Sequence, residues 1–436
     1  MSSASRFQKL VDPVLGEVVH CATAANGAPV RLLPTDRFRE VSAVVSFGYG
    51  STDLWFRRDD ASLHESPEGV AHFLEHELFE DEELHVFERF GRRGARVNAM
   101  TGFARTTYYF QCSHALEANL DDLLRLVSRA HLSDARVTKE RGIIAQELRM
   151  YEDGPEYRGF FALLGQLFPT HPVRHPVGGT VESIGAIDVA ELDACFRAFY
   201  RAGNCGFAAA GPLDPERVLA QLDAWPLARG AAPERSVPPD RGCAPGARVT
   251  LAMDVARPRL LLGWKDATLL ADPEERALRE LASRVLLDRL LGPTSELREA
   301  LAARGLVDDS LSISHLSEPG FSACIVACET DDPDATEAAL RGLLEGEAPF
   351  DDAQLERVRR KQLGGYVRSL DAVQTMAFTL AEEALEGMPP FRAIPRMAGL
   401  TRAMVAARQR ELFRRDASAR VVVARAADSS AAPTPP

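Results

Sequence analysis

Two pairs of stretches in this chain match at nearly the same offset. FGRRGARVNAM (90–100) pairs with LAARGLVDDSL (301–311), each after a long helical pattern, at an offset of 211 residues. AFYRAGNCGFAAAG (198–211) pairs with ELFRRDASARVVVA (411–424), each a helix end running into a strand, at an offset of 213. Similar offsets at both ends imply a duplication, so the fold has to be built from two similar modules. A chain of 436 residues, 46% of them hydrophobic, is long enough to give each module its own core.

The connector between the modules is PLARGAAPERSVPPDRGCAPGAR, residues 226–248, with five prolines, three glycines and almost no apolar periodicity. It divides the chain into a first domain over 1–225 and a second over 249–428, followed by a tail over 429–436 (SSAAPTPP from 429) whose composition predicts disorder. In each half the strand patterns come early, EVSAVVSFGYG and TTYYFQC in one, RLLLGWK and FSACIVACE in the other. Helical stretches then dominate, and a strand closes the half. That order predicts an α+β class, each domain a largely antiparallel sheet with helices packed on one face.

Residues 68–83, EGVAHFLEHELFEDEE, place His72, Glu75 and His76 as H-x-x-E-H within an apolar helix. Ser66 suits the N-cap, Pro67 the first helical position and Glu68 the positive end of the dipole. At 100° per residue, Val70, Ala71, Phe73, Leu74 and Leu78 fall between about 300° and 100°, and His72, Glu75 and His76 between about 140° and 240°. The motif face is therefore opposite the core face. Histidines at i and i+4 can converge on one zinc ion, with the intervening glutamate left outside the coordination sphere to take a proton from water. On these five residues alone a solvated polar face remains the alternative.

The stretch DARVTKERGIIAQELRMYEDGPEY (134–157) supplies a further ligand. With Glu140 at 0°, Glu147 falls at about 340°, so both carboxylates share one face. Val137, Ile143, Ile144, Leu148 and Tyr151 lie on that face too, which reads as core-facing. Two acids in such a stripe require a compensating cation, or else buried arginines or a helix terminus. With zinc, Glu147 completes a His/His/Glu set and leaves a fourth position for water, while Glu140 orients a ligating histidine from behind.

A net charge of −12 and a pI near 5.4 argue against nucleic acid or an anionic membrane as the main partner. MSSASRFQKLVDPVLGE has no apolar segment of signal-peptide type, and no run approaches a membrane span. Seven cysteines without a C-x-x-C predict reduced, mostly buried thiols in a cytoplasmic protein, and no part in a metal site.

Together these residues resemble the pitrilysin/insulysin family of inverted-motif zinc metallopeptidases. GVAHFLEHELFE, VNAMTGFARTTYYF, KERGIIAQELRMYEDGPEYR and HPVRHPVGGTVESI are similar to that family's successive landmarks, in order, over about 40–200. Within the family the chain most resembles the bacterial YfmH-like branch, whose members are similar in length. The resemblance implies one zinc per chain on His72, His76 and Glu147, with Glu75 as general base and Glu140 as supporting acid. It implies a clamshell of two domains enclosing a chamber, and an endopeptidase acting on short or unfolded peptides. It also implies that NAMT (98–101) is an edge strand to which a peptide adds, with Asn98 and Ala99 nearest the scissile bond.

The second half is similar to the family's inactive companion domain. LASRVLLDRLL (281–291), opposite the motif helix, has no histidine, and Tyr366 stands opposite Glu147. One departure concerns partners. Family members that work alone carry R-x-x-R-G-L-x-Y in this domain, whose arginine and tyrosine hold the substrate backbone. Here the segment is LAARGLVD, with Leu301 and Asp308 at those positions, and Arg298 and Arg304 as the nearest substitutes for the arginine. An aspartate cannot donate as a phenol does unless it is protonated. The expectation is a heterodimer with a related subunit that carries the clamp, a homodimer being the runner-up. The rival functions are a structural subunit of the same fold and a metal-dependent peptide-binding module without turnover.

Overall fold

The computed structural model describes residues 6–12, 16–80, 86–237, 240, 242–243, 247–346 and 351–425. The tail expected over 429–436 lies outside them. The strand segments read from the sequence form where the alternation places them: Val41–Phe47, Thr106–Cys112, Arg259–Lys265 and Phe321–Glu329.

Packing divides the chain into two compact units. The first comprises 1–148, 176–237 and 366–392, and the second 149–175, 238–365 and 393–436. The sheet of the first unit has seven strands in the order Gln8–Val11, Val18–Thr23, Pro29–Pro34, Cys205–Gly211, Val41–Phe47, Thr106–Cys112, Arg96–Thr101. All neighbours are antiparallel except Cys205–Gly211 beside Pro29–Pro34. The sheet of the second unit has five strands, Ala247–Ala252, Ser418–Ala424, Arg259–Lys265, Phe321–Glu329, Ser312–Glu318. Its one parallel pair is again made by the closing strand, here Ser418–Ala424 beside Ala247–Ala252.

The repeat extends to the turns. Gly94 and Gly305, 211 residues apart, have φ 64° and 69°, and each ends a helix whose last turn returns from the left-handed region that glycine tolerates. Ala95 donates to the Phe90 carbonyl as Leu306 does to that of Leu301. Asp188 and Thr401, 213 apart, cap the helices Val189–Phe199 and Arg402–Leu412, and each helix leads into its closing strand. Among the longer helices, Asp134–Glu152 and Asp352–Ser369 start 218 residues apart. That register sets Gly365, one residue before Tyr366, opposite Glu147.

Each half lays its own helices on one face of its sheet, the main core of the first unit being built on Val30, Val45, Phe47, Phe73, Tyr108 and Phe207. The other face is covered by one helix from the opposite half of the sequence. Val373–Leu385 packs on Val19, Leu33, Val44 and Ala208 of the first sheet, through Met376, Ala377, Leu380 and Ala381. Its counterpart Pro155–Leu167, 218 residues earlier, packs on the strands Arg259–Lys265 and Ser418–Ala424. Equivalent helices are thus exchanged between the two sheets. Helix and sheet approach to backbone contact at Gly206, where an added Cβ would lie 2.2 Å from the Ala381 carbonyl oxygen.

This close approach yields a prediction. Gly206→Val should lose about 1–3 kcal/mol in urea unfolding, because the overpacked helix has to lift from the sheet. Gly364→Ala, mid-helix with nothing within 4 Å of the added Cβ, should gain about 0.4–1 kcal/mol. Equal effects at the two positions would show that the helix does not rest on Gly206.

Candidate metal centre

The motif helix runs Val70–Leu78 and buries Val70, Ala71, Phe73, Leu74 and Leu78, the face read from its periodicity. Its start differs from expectation. The N-cap is Gly69 at φ 86°, with no side-chain cap, and Ser66 lies outside the helix with its hydroxyl 3.3 Å from Cys195 Sγ. The chain turns through Pro67–Gly69 because the loop at 178–183 grips it there. Ser183 Oγ donates to the Glu68 carbonyl at 2.9 Å, and a Cβ on Gly69 would meet the Gly178 carbonyl oxygen.

The acidic helix, Asp134–Glu152, crosses the motif face. His76 lies between its two carboxylates: Nδ1 is 2.8 Å from Glu140 Oε1, and Nε2 is 3.6 Å from Glu147 Oε2. His72 Nε2 is 3.9 Å from the same Glu147 oxygen. His72, His76 and Glu147 each offer one ligand atom within 4.8 Å of the others. Glu140 is buried, whereas Glu147 is only half-buried. Ile143 and Tyr151, read as core-facing with them, are exposed, so the stripe is apolar core along one margin and open surface along the other.

The donor set suits a divalent cation of zinc type. A carboxylate has only acceptors, so the bond to Glu140 draws a proton to Nδ1 of His76 and leaves the Nε2 lone pair toward Glu147 and His72. Nδ1 of His72 is buried without a hydrogen-bond partner, against Gly178, where an added Cβ would sit 3.5 Å away. Burial, with the charge of His76, drives the His72 pKa down to about 3, so its imidazole stays neutral. Burial lowers the pKa of His76 too, but Glu140, Glu75 and Glu147 outweigh it and leave it raised. The field that favours a proton on that ring also favours a dication between the rings.

Glu75 is held apart from these ligands. Its Oε2 accepts from Thr101 Oγ1 at 2.5 Å, and burial raises its pKa against the pull of that bond and of His76. Thr101 ends the strand Arg96–Thr101, the edge of the seven-stranded sheet. Asn98 is exposed there, its Oδ1 accepting from the Ala99 N–H at 2.9 Å, and Ala99 packs partly into the core. Sequence reasoning stopped at Asn98 and Ala99. The alternation of the strand, which puts Thr101 on the same side as Ala99, was the available signal. It also passed over Glu77, which is buried with neither carboxylate oxygen hydrogen-bonded, its pKa pushed up to about 7 by burial and then by Glu140 and Glu80.

A second group of potential ligands, His64, Glu191 and Cys195, has the opposite chemistry. His64 Nδ1 faces the Arg58 guanidinium, which can only donate, so the ring proton belongs on Nε2, bonded to Glu191 at 2.8 Å. Burial, with Glu191 adding to it, pushes the Cys195 thiol up to about 12. This is a hydrogen-bonded brace with no free lone pair for a metal. All seven cysteines are unpaired thiols, six of them buried, and no described helix is long and apolar enough to cross a membrane.

The chain belongs to the insulinase family, peptidase family M16, whose model matches residues 59–181, while that of the peptidase M16 inactive domain matches 186–362. The uncharacterized zinc protease YmfH of Bacillus subtilis is 30% identical over 394 residues, 89% of this chain and 92% of its own. A putative M16-like peptidase from Alicyclobacillus acidocaldarius has a solved structure at 32% identity and TM-score 0.88, covering 98% of this chain and all of that one. A Pseudomonas fluorescens structure titled as a peptidase M16 inactive domain shares the fold at 18% identity and TM-score 0.76, covering 96% of this chain and all of that one.

If Glu140 orients His76, Glu140→Gln should weaken zinc binding about 10- to 100-fold in competition with a chromophoric chelator. Affinity unchanged within twofold would detach Glu140 from the site.

Proposed function

We propose that the chain is a zinc-dependent endopeptidase of short or unfolded peptides, the catalytic subunit of a heterodimer, working in the cytoplasm. The observation that carries the reading is His76, bonded behind by Glu140 and turned toward His72 and Glu147. In this reading His72, His76 and Glu147 hold one zinc ion, which when bound supplies Lewis-acid polarisation of water and of the peptide carbonyl. Glu75 takes the proton from the attacking water and returns it to the leaving amine, so its carboxylate has to stay free of the ligand set. The peptide adds to the edge strand Arg96–Thr101, whose outer side has no strand partner among the described residues, along Asn98 and Ala99. Relatives named zinc proteases support the class of chemistry.

Glu75→Gln keeps the shape and removes the base. Bound zinc should remain near one per chain, while peptide cleavage falls by about 10² or more. A variant as fast as the parent would rule out this mechanism, and with it Glu75 as the base.

The second unit supports the expectation of a partner. Asp308 accepts from Arg257 at 2.8 Å and also from Ser310. The Ser310 hydroxyl and then Arg257 hold its pKa down to about 2, so it stays ionised and donates nothing. Leu301 is buried. Neither can hold a substrate backbone as an arginine and tyrosine would. The isolated chain should therefore cleave peptide weakly, and adding a related subunit that lacks H-x-x-E-H and bears the arginine and tyrosine should restore turnover. Full activity from the chain alone, unchanged by that subunit, would leave only a monomeric or homodimeric enzyme.

A further inference from the structure

The geometry points to Thr101 as the residue that positions Glu75 for proton transfer, a role that rests on the peptidase reading above. Three observations on the edge strand and its neighbour carry it.

Thr101 Oγ1 has a single hydrogen to give. Its two oxygen neighbours are Glu75 Oε2 at 2.5 Å and Thr106 Oγ1 at 3.4 Å, the second across the strand pair in register with it. The hydrogen of Thr106 is committed elsewhere, to the Tyr49 carbonyl oxygen at 2.9 Å in a buried position. Thr106 can only accept, and its distance from Thr101 is long, so the Thr101 hydrogen goes to the carboxylate. A hydroxyl bonded to an ionised carboxylate makes a short, strong bond, and 2.5 Å fits that class.

Side-chain parity gives the bond its meaning. Val97, Ala99 and Thr101 alternate with Asn98 and Met100, and the first set is the more buried. Thr101 thus faces the motif helix, while Asn98 and Met100 face away. It is the point where the strand proposed to receive the peptide touches the group proposed to act on it. Thr101 holds the Glu75 carboxylate through its hydroxyl, with its backbone N–H adding to that hold. Without the hydroxyl only the backbone contact from Thr101 remains, and the carboxylate could turn toward the histidines and join the proposed ligand set. The described hydrogen bonds of the Thr101 hydroxyl go to Glu75 and Thr106 and not to His72, His76 or Glu147, so it is a positioning residue.

The test uses Thr101→Val, which keeps the β-branched shape, and Thr101→Ser, which keeps the hydroxyl. Thr101→Val should lower kcat about 10- to 100-fold with KM within about twofold and zinc content unchanged, and Thr101→Ser should recover kcat to within about threefold of the parent. A purely structural threonine would give the reverse pattern, with Ser as impaired as Val or with zinc lost. Urea unfolding supplies a readout without turnover: Thr101→Val should lower the midpoint in the parent and leave it unmoved when Glu75 is already alanine. Equal shifts in both backgrounds, or kcat within twofold for Thr101→Val, would overturn the inference while the peptidase reading stood. A parent that cleaves no peptide, with or without a partner, would remove that reading and the role of Thr101 in catalysis with it, whereas the unfolding cycle would still report the contact.

Discussion

A carboxylate buried in a helix face has to be met by donors or by positive charge. Glu140 is 6% exposed, and its bond is to His76 Nδ1. Glu75 and Glu147 act on the same histidine, whereas the cations Arg136 and Lys139 act on the neighbouring Glu77. So much negative charge within one turn of two histidines is stable only with protons or a cation among them. That requirement sets the rest of the local structure. Glycines at 69 and 178 let the loop seat against His72, and the motif helix starts three residues later than its capping residues imply.

The duplication shows what such a site needs by showing a module that lacks it. Both units keep the sheet order, the left-handed glycine after the second helix and the capped helix before the closing strand. In the second unit, the helix Pro273–Leu291 buries Val285, Leu286, Leu287 and Leu290 where the first unit displays histidines. That second unit has instead a polar network in its interior, where Arg408 and Arg279 share Asp266 at 2.6 and 3.0 Å. There a buried aspartate is met by guanidinium groups, whereas the buried Glu140 of the first unit is bonded to an imidazole. The scaffold is shared, and the answer to buried charge differs.

Much of this was legible because it is periodic. The strands Thr106–Cys112 and Arg259–Lys265 begin and end where alternation and flanking residues place them, and the buried face of the motif helix follows from its apolar spacing. That Glu140 and Glu147 share a face also follows from helix geometry, and both reach His76. What could not be read is what only tertiary contact decides. Ser66 has the type of an N-cap, yet the loop holding Glu68 moves the helix start to Gly69. Ile143 and Tyr151 fit a core stripe by angle, but among the described residues they remain exposed on that margin of the helix. The exchange of Pro155–Leu167 with Val373–Leu385 leaves no local trace, since each helix is amphipathic wherever it packs.

Residue type and proximity do not by themselves make a metal site, and the two histidine clusters of this chain separate the factors. His64 and His76 each have a carboxylate 2.8 Å from one ring nitrogen. The difference lies in what the other nitrogen meets. At His64 it is a guanidinium, which takes the lone pair and sends the proton to the carboxylate side, so both nitrogens are spent. At His76 it is Glu147, another acceptor, shared with His72. A ring between two acceptors cannot satisfy both with one proton. Either it is protonated twice, or a cation takes the place of one proton, and the second carboxylate and second imidazole then become ligands. The partner at the other ring nitrogen therefore separates the cluster that braces the fold from the one proposed to hold a metal.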